Sequence, residues 1–145
     1  MAVTIPLTFE DLSVGEELPT LAVDELTRTD FVRYAGASGD FNPMHHDDTK
    51  ATAAGFPSVF GHGMLTMGLL ARSLKDAFGP TALRRFQVRF SRQVWPGDAL
   101  TCRSVVTGLR EEGDEGLVDV ECTVENQKGE KVVSGTATAA VPRRA

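Results

Sequence analysis

The sequence predicts an α+β domain in which sequential antiparallel strands wrap one long buried helix. Three observations carry that prediction. Apolar residues recur at helical spacing in the first half of the chain and at alternating spacing in the second. From Gly63 to Phe78, residues Met64, Leu65, Met67, Leu69, Leu70, Ala71 and Leu74 cover nearly the whole circumference of a helix, which is the pattern of a buried one. After residue 94 the alternating runs are separated by turns alone, which suits strands paired in sequence order.

Each element follows from local chemistry. Thr29 is placed to cap a helix from Asp30 to about Ala37, with Asp30 at its positive end and Phe31, Tyr34 and Ala35 on one face. Gly36 and Gly39 weaken and stop it. Gly39 to Pro43 is turn chemistry, since Asn42 before a proline is pushed out of helical geometry. Asp47 or Asp48 caps a small helix that stops at Gly55. The long helix ends at Gly79-Pro80, and Gly63, Gly68 and Ala71 are small enough to admit a sheet closely. Phe86, Val88 and Phe90 then alternate with Arg85, Gln87 and Arg89. Trp95 to Asp98 is a turn, Leu100 to Val106 a strand, and Gly108 to Gly116 a second turn. Val118, Val120, Cys122 and Val124 mark the next strand, and Val132 to Val141 the last.

At 145 residues the chain fits one domain, residues 1–145, and buries a core without disulfides. A net charge of −5 argues against a nucleic-acid partner, which needs a concentrated basic face. Arg143-Arg144 reads as a solvated tail. Cys102 and Cys122 fall inside alternating patterns, as buried strand thiols in a reducing cytosol do. MAVTIPLTFEDL lacks the basic flank and apolar run of a secretory signal, and Arg72 interrupts the most apolar stretch. The expectation is a cytoplasmic protein without a membrane partner.

All three histidines, His45, His46 and His62, lie within one stretch that also holds Asp40. The neighbours His45, His46, Asp47 and Asp48 lack helical metal-ligand spacing, so no metal or other cofactor is expected. Ser58 and Ser73 are not on a nucleophile elbow, which argues against covalent catalysis. Acid–base work fits better. Asp40 follows a glycine, Pro43 stiffens the loop to His45, and Asn42 between them can orient a water or fix a side chain. Gly61-His62-Gly63 opens a helix N-terminus, where unobstructed N–H groups and the dipole suit an oxygen that becomes negative. The same residues also fit a capping aspartate, a histidine satisfied by its neighbours and close helix–sheet packing. The residues alone leave that choice open.

Gly-Asp-Phe-Asn-Pro-Met-His at 39–45 and Gly-His-Gly-Met-Leu at 61–65 together resemble the MaoC-like hydratase family, which includes the (R)-specific enoyl-CoA hydratases. Tyr34-Ala35-Gly36, Thr66-Met67-Gly68 and Val88-Arg89-Phe90 extend the likeness toward the mycobacterial (3R)-hydroxyacyl-acyl-carrier-protein dehydratases, over nearly the whole chain. The resemblance implies a hot-dog fold, a sheet wrapped around the central helix, and reversible hydration of trans-2-enoyl thioesters of CoA or acyl carrier protein. It puts the catalytic pair at Asp40 and His45, a supporting residue at Asn42, and the amide that polarises the thioester carbonyl at Gly63. It also implies a homodimer or higher homo-oligomer, or a heterodimer with another hot-dog chain. Two further readings stay open: a thioesterase on the same fold, and a subunit active only with a different partner. Arg84, Arg85, Arg89 and Arg92 offer either a phosphate-friendly face or a solvated one.

Overall fold

The structure, a computed structural model, describes residues 7–144. The first residues of MAVTIPLTFEDL, read above for a signal, lie outside them. A short 3₁₀ turn at Phe9–Asp11 leads to strand β1 (Leu21–Val23) and helix α1 (Arg28–Ser38). A second 3₁₀ turn (Pro43–His45) precedes helix α2 (Asp48–Ala53) and the long helix α3 (Gly63–Phe78). Four strands follow: β2 (Leu83–Phe90), β3 (Leu100–Glu112), β4 (Glu115–Asn126) and β5 (Lys131–Pro142). They form with β1 one antiparallel sheet in the order β1-β3-β4-β5-β2. Helix α3 touches every strand, so the sheet-around-helix arrangement expected of a hot-dog fold is what forms.

The core is built in two halves along α3. Toward its C-terminal end, Leu74, Ala77 and Phe78 pack on Val106, Val118, Val120 and Ala139. Toward its N-terminal end, Leu70 packs with Phe31, Val59, Val94, Leu100, Cys102, Cys122 and Val133. Full burial of each large apolar side chain contributes about 1.5–3 kcal/mol. The inward row Val118, Val120, Cys122 and Val124 is buried as its alternation requires. Burial pushes the Cys102 and Cys122 thiols up to about 11, so both stay protonated and inert.

Five expectations change. Helix α3 is not covered all round: Thr66, Leu70, Ser73, Leu74, Ala77 and Phe78 are buried, while Met64 is 54% exposed. One sheet can cover only one side of a helix. A Cβ at Gly68 would meet nothing within 4 Å, so Gly68 does not admit the sheet. The cap of α1 is Thr27 rather than Thr29, because Asp30 serves as the third helical residue of a capping box. Residues 108–112 are strand, not turn: a bulge between Val106 and Gly108 absorbs one residue, and β3 and β4 stay paired to Glu112 and Glu115. The Arg143-Arg144 tail is held by ions. Arg143 lies 3.0 Å from Glu111, and Arg144 pairs with Asp11. The expected small helix does run from a cap at Asp47, whose carboxylate accepts from the Thr49 and Lys50 N–H groups.

Candidate active site

The loop after α1 is shaped by its own side chains. Gly39 closes the helix in the left-handed conformation, at φ +75°, and donates its N–H to Ala35 O. Asp40 Oδ1 then accepts from the Asn42 N–H at 3.2 Å, and Asn42 Oδ1 from the Met44 N–H at 3.1 Å. These are successive Asx turns, in which short polar side chains replace backbone partners. Pro43 opens the 3₁₀ turn that ends at His45. Asn42 therefore spends its carboxamide oxygen on holding the loop.

His45 is 8% exposed. Its Nδ1 lies 2.7 Å from Phe60 O, and the Phe60 N–H returns a bond to Met44 O at 3.2 Å. A carbonyl only accepts, so Nδ1 carries the proton and Nε2 keeps the lone pair. Burial holds the His45 imidazole below its ordinary range; the Phe60 bond and the Asp40 charge oppose this, while His62 and His46 reinforce it. The ring is therefore neutral at pH 7.

Helix α3 begins beside this imidazole. Gly61, just before it, donates its N–H to Val94 O at 2.8 Å. A Cβ there would sit 2.6 Å from Val94 Cγ2 and 2.9 Å from the Phe31 ring, so only glycine fits without a shift. His62 takes the cap position but makes no side-chain cap bond. Gly63, the first helical residue, has no intrahelical acceptor for its N–H. The atoms nearest to a Cβ on Gly63 would be those of the Phe90 ring, at 3.2 Å.

His45 and Gly63 share the wall of a cavity of about 270 Å³ with Phe60, Gly61, Thr66, Phe90, Ser91, Arg92, Gln93, Val94 and Val133. Asp40 and Asn42 are exposed and stand outside that wall. The Asp40 carboxylate nevertheless comes within 4.8 Å of ring nitrogens of His45 and His62. Among the described residues it makes no direct hydrogen bond to either side chain, and a single water can bridge such a gap.

Other acids and bases of the motif stay apart. His46 Nε2 bonds Phe41 O, Asp47 caps α2, and Asp48 accepts from the Val59 N–H and pairs with Arg28. Of the four arginines, Arg92 alone lines the cavity; Arg84 pairs with Glu115, and Arg85 and Arg89 face solvent. His62 is the residue the sequence reading missed. It is 2% exposed and its ring stacks on His45 at 3.7 Å between centroids. Its place between two glycines was the only local signal, because the stacking partner lies 17 positions upstream.

Asp40, His45 and His62 are also the group here that comes nearest to a metal-ligand set. Each imidazole already commits one nitrogen to a backbone carbonyl.

Comparison with known proteins places the family and the fold. Residues 11–130 match the family model of the MaoC like domain. The chain is 33% identical to the (R)-specific enoyl-CoA hydratase of Rhodospirillum rubrum over 94% of its own length and 92% of the relative's. Some relatives are far longer: the chain spans 10% of the peroxisomal hydratase-dehydrogenase-epimerase of Saccharomyces cerevisiae, with 36% identity over 88 residues. The unliganded R-hydratase PhaJ1 from Pseudomonas aeruginosa superposes with a TM-score of 0.84 at 26% identity, covering 96% of this chain and 88% of that one. A chain of the ChsH1-ChsH2 complex from Mycobacterium tuberculosis does so with a TM-score of 0.78 at 28% identity, covering 89% and 98%.

Proposed function

The chain belongs to the MaoC-like dehydratase family, and from that premise we propose that it is a hydro-lyase interconverting trans-2-enoyl and (3R)-3-hydroxyacyl thioesters of CoA or acyl carrier protein. One observation carries the reading. A buried imidazole with a free Nε2 shares a cavity with the first N–H of an uncapped helix, and a carboxylate lies within 4.8 Å.

The chemistry needs no more than these groups. A water held between the Asp40 carboxylate and His45 Nε2 gives one proton to the pair as its oxygen bonds to C3. The C2=C3 electrons move toward the thioester oxygen, which the Gly63 N–H and the positive end of α3 receive. The pair then returns a proton to C2. Nothing is oxidised or reduced, and the reverse sequence expels water. Asn42 supports the pair by fixing the loop that carries it.

The test is hydration of crotonyl-CoA followed by loss of ultraviolet absorbance. Asp40→Asn and His45→Gln should each lower the rate at least about a hundredfold, the lower end of what a positioned acid or base contributes, with circular dichroism unchanged. Near-normal rates in both variants would refute the roles. Release of free thiol without hydration would favour a thioesterase instead.

The working unit in this reading is a pair of hot-dog chains, two copies of this one or this chain with another, acting in the cytoplasm as a single domain each. The relative solved as a complex supports a paired state, as do Met64 and Phe90, large apolar side chains left about half exposed. Among the described residues no helix is long and apolar enough to cross a membrane. Mass in solution together with activity of the chain alone distinguishes the two kinds of pair.

A further inference from the structure

We propose that His62 is a positioning residue of this site, holding Asp40 and His45 in register with the start of α3. The inference rests on the reading above and extends it. His62 touches all three parts of the site. Its Nε2 lies 3.0 Å from the backbone carbonyl of Asp40. Its ring stacks face to face on His45, at 3.7 Å and 28°. Its own carboxyl group forms the peptide bond to Gly63. The Tyr34 ring packs on it as well, at 4.8 Å between centroids. No other residue of the site joins the aspartate, the imidazole and the helix start.

The chemistry of the ring distinguishes this role from packing alone. A carbonyl only accepts, so His62 Nε2 carries a proton and donates to Asp40 O. His62 Nδ1 is buried without a hydrogen-bond partner among the described residues. A side chain needed only for volume would be apolar there, since burying an unsatisfied nitrogen is unfavourable. One nitrogen is thus left unsatisfied in a ring whose other nitrogen tethers the Asp40 backbone. The stack sets the second partner: it limits rotation of the His45 ring about the axis running from Nδ1 to the Phe60 carbonyl, and so aims Nε2 at the cavity. The titratable groups facing His45 are Asp40, His46 and His62.

Two substitutions separate the tether from the stack. His62→Phe keeps the ring and loses the donor; His62→Gln keeps a donor near the Nε2 position and loses the ring. With crotonyl-CoA, His62→Phe should lower kcat roughly tenfold to a hundredfold, as a small misplacement of reacting groups does, while KM moves less than about twofold. His62→Gln should recover part of that loss. A His62→Phe enzyme with wild-type kcat overturns the proposal, as does a His62→Gln enzyme that recovers none of the loss.

If either variant fails to fold, nitrogen-15 spectra of the wild-type imidazoles decide. Protonation of His62 on Nε2 and of His45 on Nδ1 supports the tether, and protonation of His62 on Nδ1 overturns it. Asp40→Asn and His45→Gln run in the same assay keep the two levels apart. If the wild type hydrates crotonyl-CoA, those variants are dead and His62→Phe is normal, only this inference falls. If the wild type hydrates no enoyl thioester, the parent reading falls.

Discussion

Helices α1 and α3 begin in opposite ways. Thr27 and Asp30 close the start of α1 reciprocally: Asp30 Oδ2 accepts from the Thr27 N–H at 2.8 Å, and Thr27 Oγ1 accepts from the Asp30 N–H at 3.2 Å. Helix α2 is closed as well, by Asp47. Helix α3, the longest, has His62 at its cap with no side-chain bond and no acid in its first turn. A cap contributes about 1 kcal/mol, so the chain forgoes that stability at a helix start that opens on a cavity. Where the first N–H groups are satisfied internally the helix is scaffold, and where they are left free they are available to a substrate oxygen.

The sharpest way to break this contrast is Gly63→Pro. Proline is accepted at the first helical position, and His62, at φ −63° and ψ 136°, already has the geometry a residue before proline requires. The substitution deletes the Gly63 N–H and adds a Cβ that presses on the Phe90 ring as alanine's does, so Gly63→Ala is its control. Hydration should fall by about 10²–10³ with helicity unchanged; a near-normal rate would remove Gly63 from the mechanism. Gly63→Ala keeps the N–H and asks the half-exposed Phe90 ring to shift from 3.2 Å, so it should cost less than about tenfold, well short of a lost donor.

Gly61→Ala tests the clamp rather than the donor. Its Cβ would press on Val94 and Phe31, both nearly fully buried, and overpacking of this kind costs about 1–3 kcal/mol. The melting temperature should drop accordingly, and an unchanged value would mean that the segment relaxes freely. Thr27→Ala should lower stability by about 1 kcal/mol and leave hydration untouched. Lost activity there would show that the two helix starts are not independent.

The smallest effects are in pH dependence. Hydrogen bonds from Thr27 hold the Asp30 carboxyl below its ordinary range. Its contribution is therefore complete above the ordinary carboxylate pKa and is lost as pH falls through the lower folded value. Urea titrations of wild type and Thr27→Ala should converge across that acid window. Burial lowers His45 from its ordinary 6.5, so the folded state prefers the neutral ring. That preference is fully expressed above 6.5 and fades as pH drops below it. The acid limb of the pH–rate profile should accordingly lie below 6.5, and a limb above that value would contradict the burial of His45.

Much of the fold was legible because it is written in short-range pattern. The period of 2 in Val118, Val120, Cys122 and Val124 marked β4, and Gly79-Pro80 marked the end of α3 at Phe78. Errors fell where two local rules competed. The Gly/Glu-rich run from Gly108 reads as a turn, yet cross-strand pairing with β4 carries it as strand to Glu112. Strand β1 is three residues long and owes its existence to β3, so no pattern within it could be read. Caps moved by two residues because Thr27 and Thr29 are alike in type and differ only in spacing to Asp30.

The site divides in the same way. The amino-acid sequence by itself determined a loop that turns at Gly39, Asn42 and Pro43, a helix that opens on Gly63, and which polar side chains each carries, because these depend on bonds between residues two to four apart. Only the tertiary structure decided that the Phe60 carbonyl selects the His45 tautomer, that His62 stacks on His45 and meets the Tyr34 ring at a tilt, and that Asp40 sits outside the cavity wall. Those relations join residues 15 to 28 positions apart. They arise when α3 and the preceding loops collapse onto the sheet, a packing that periodicity and local propensity do not encode.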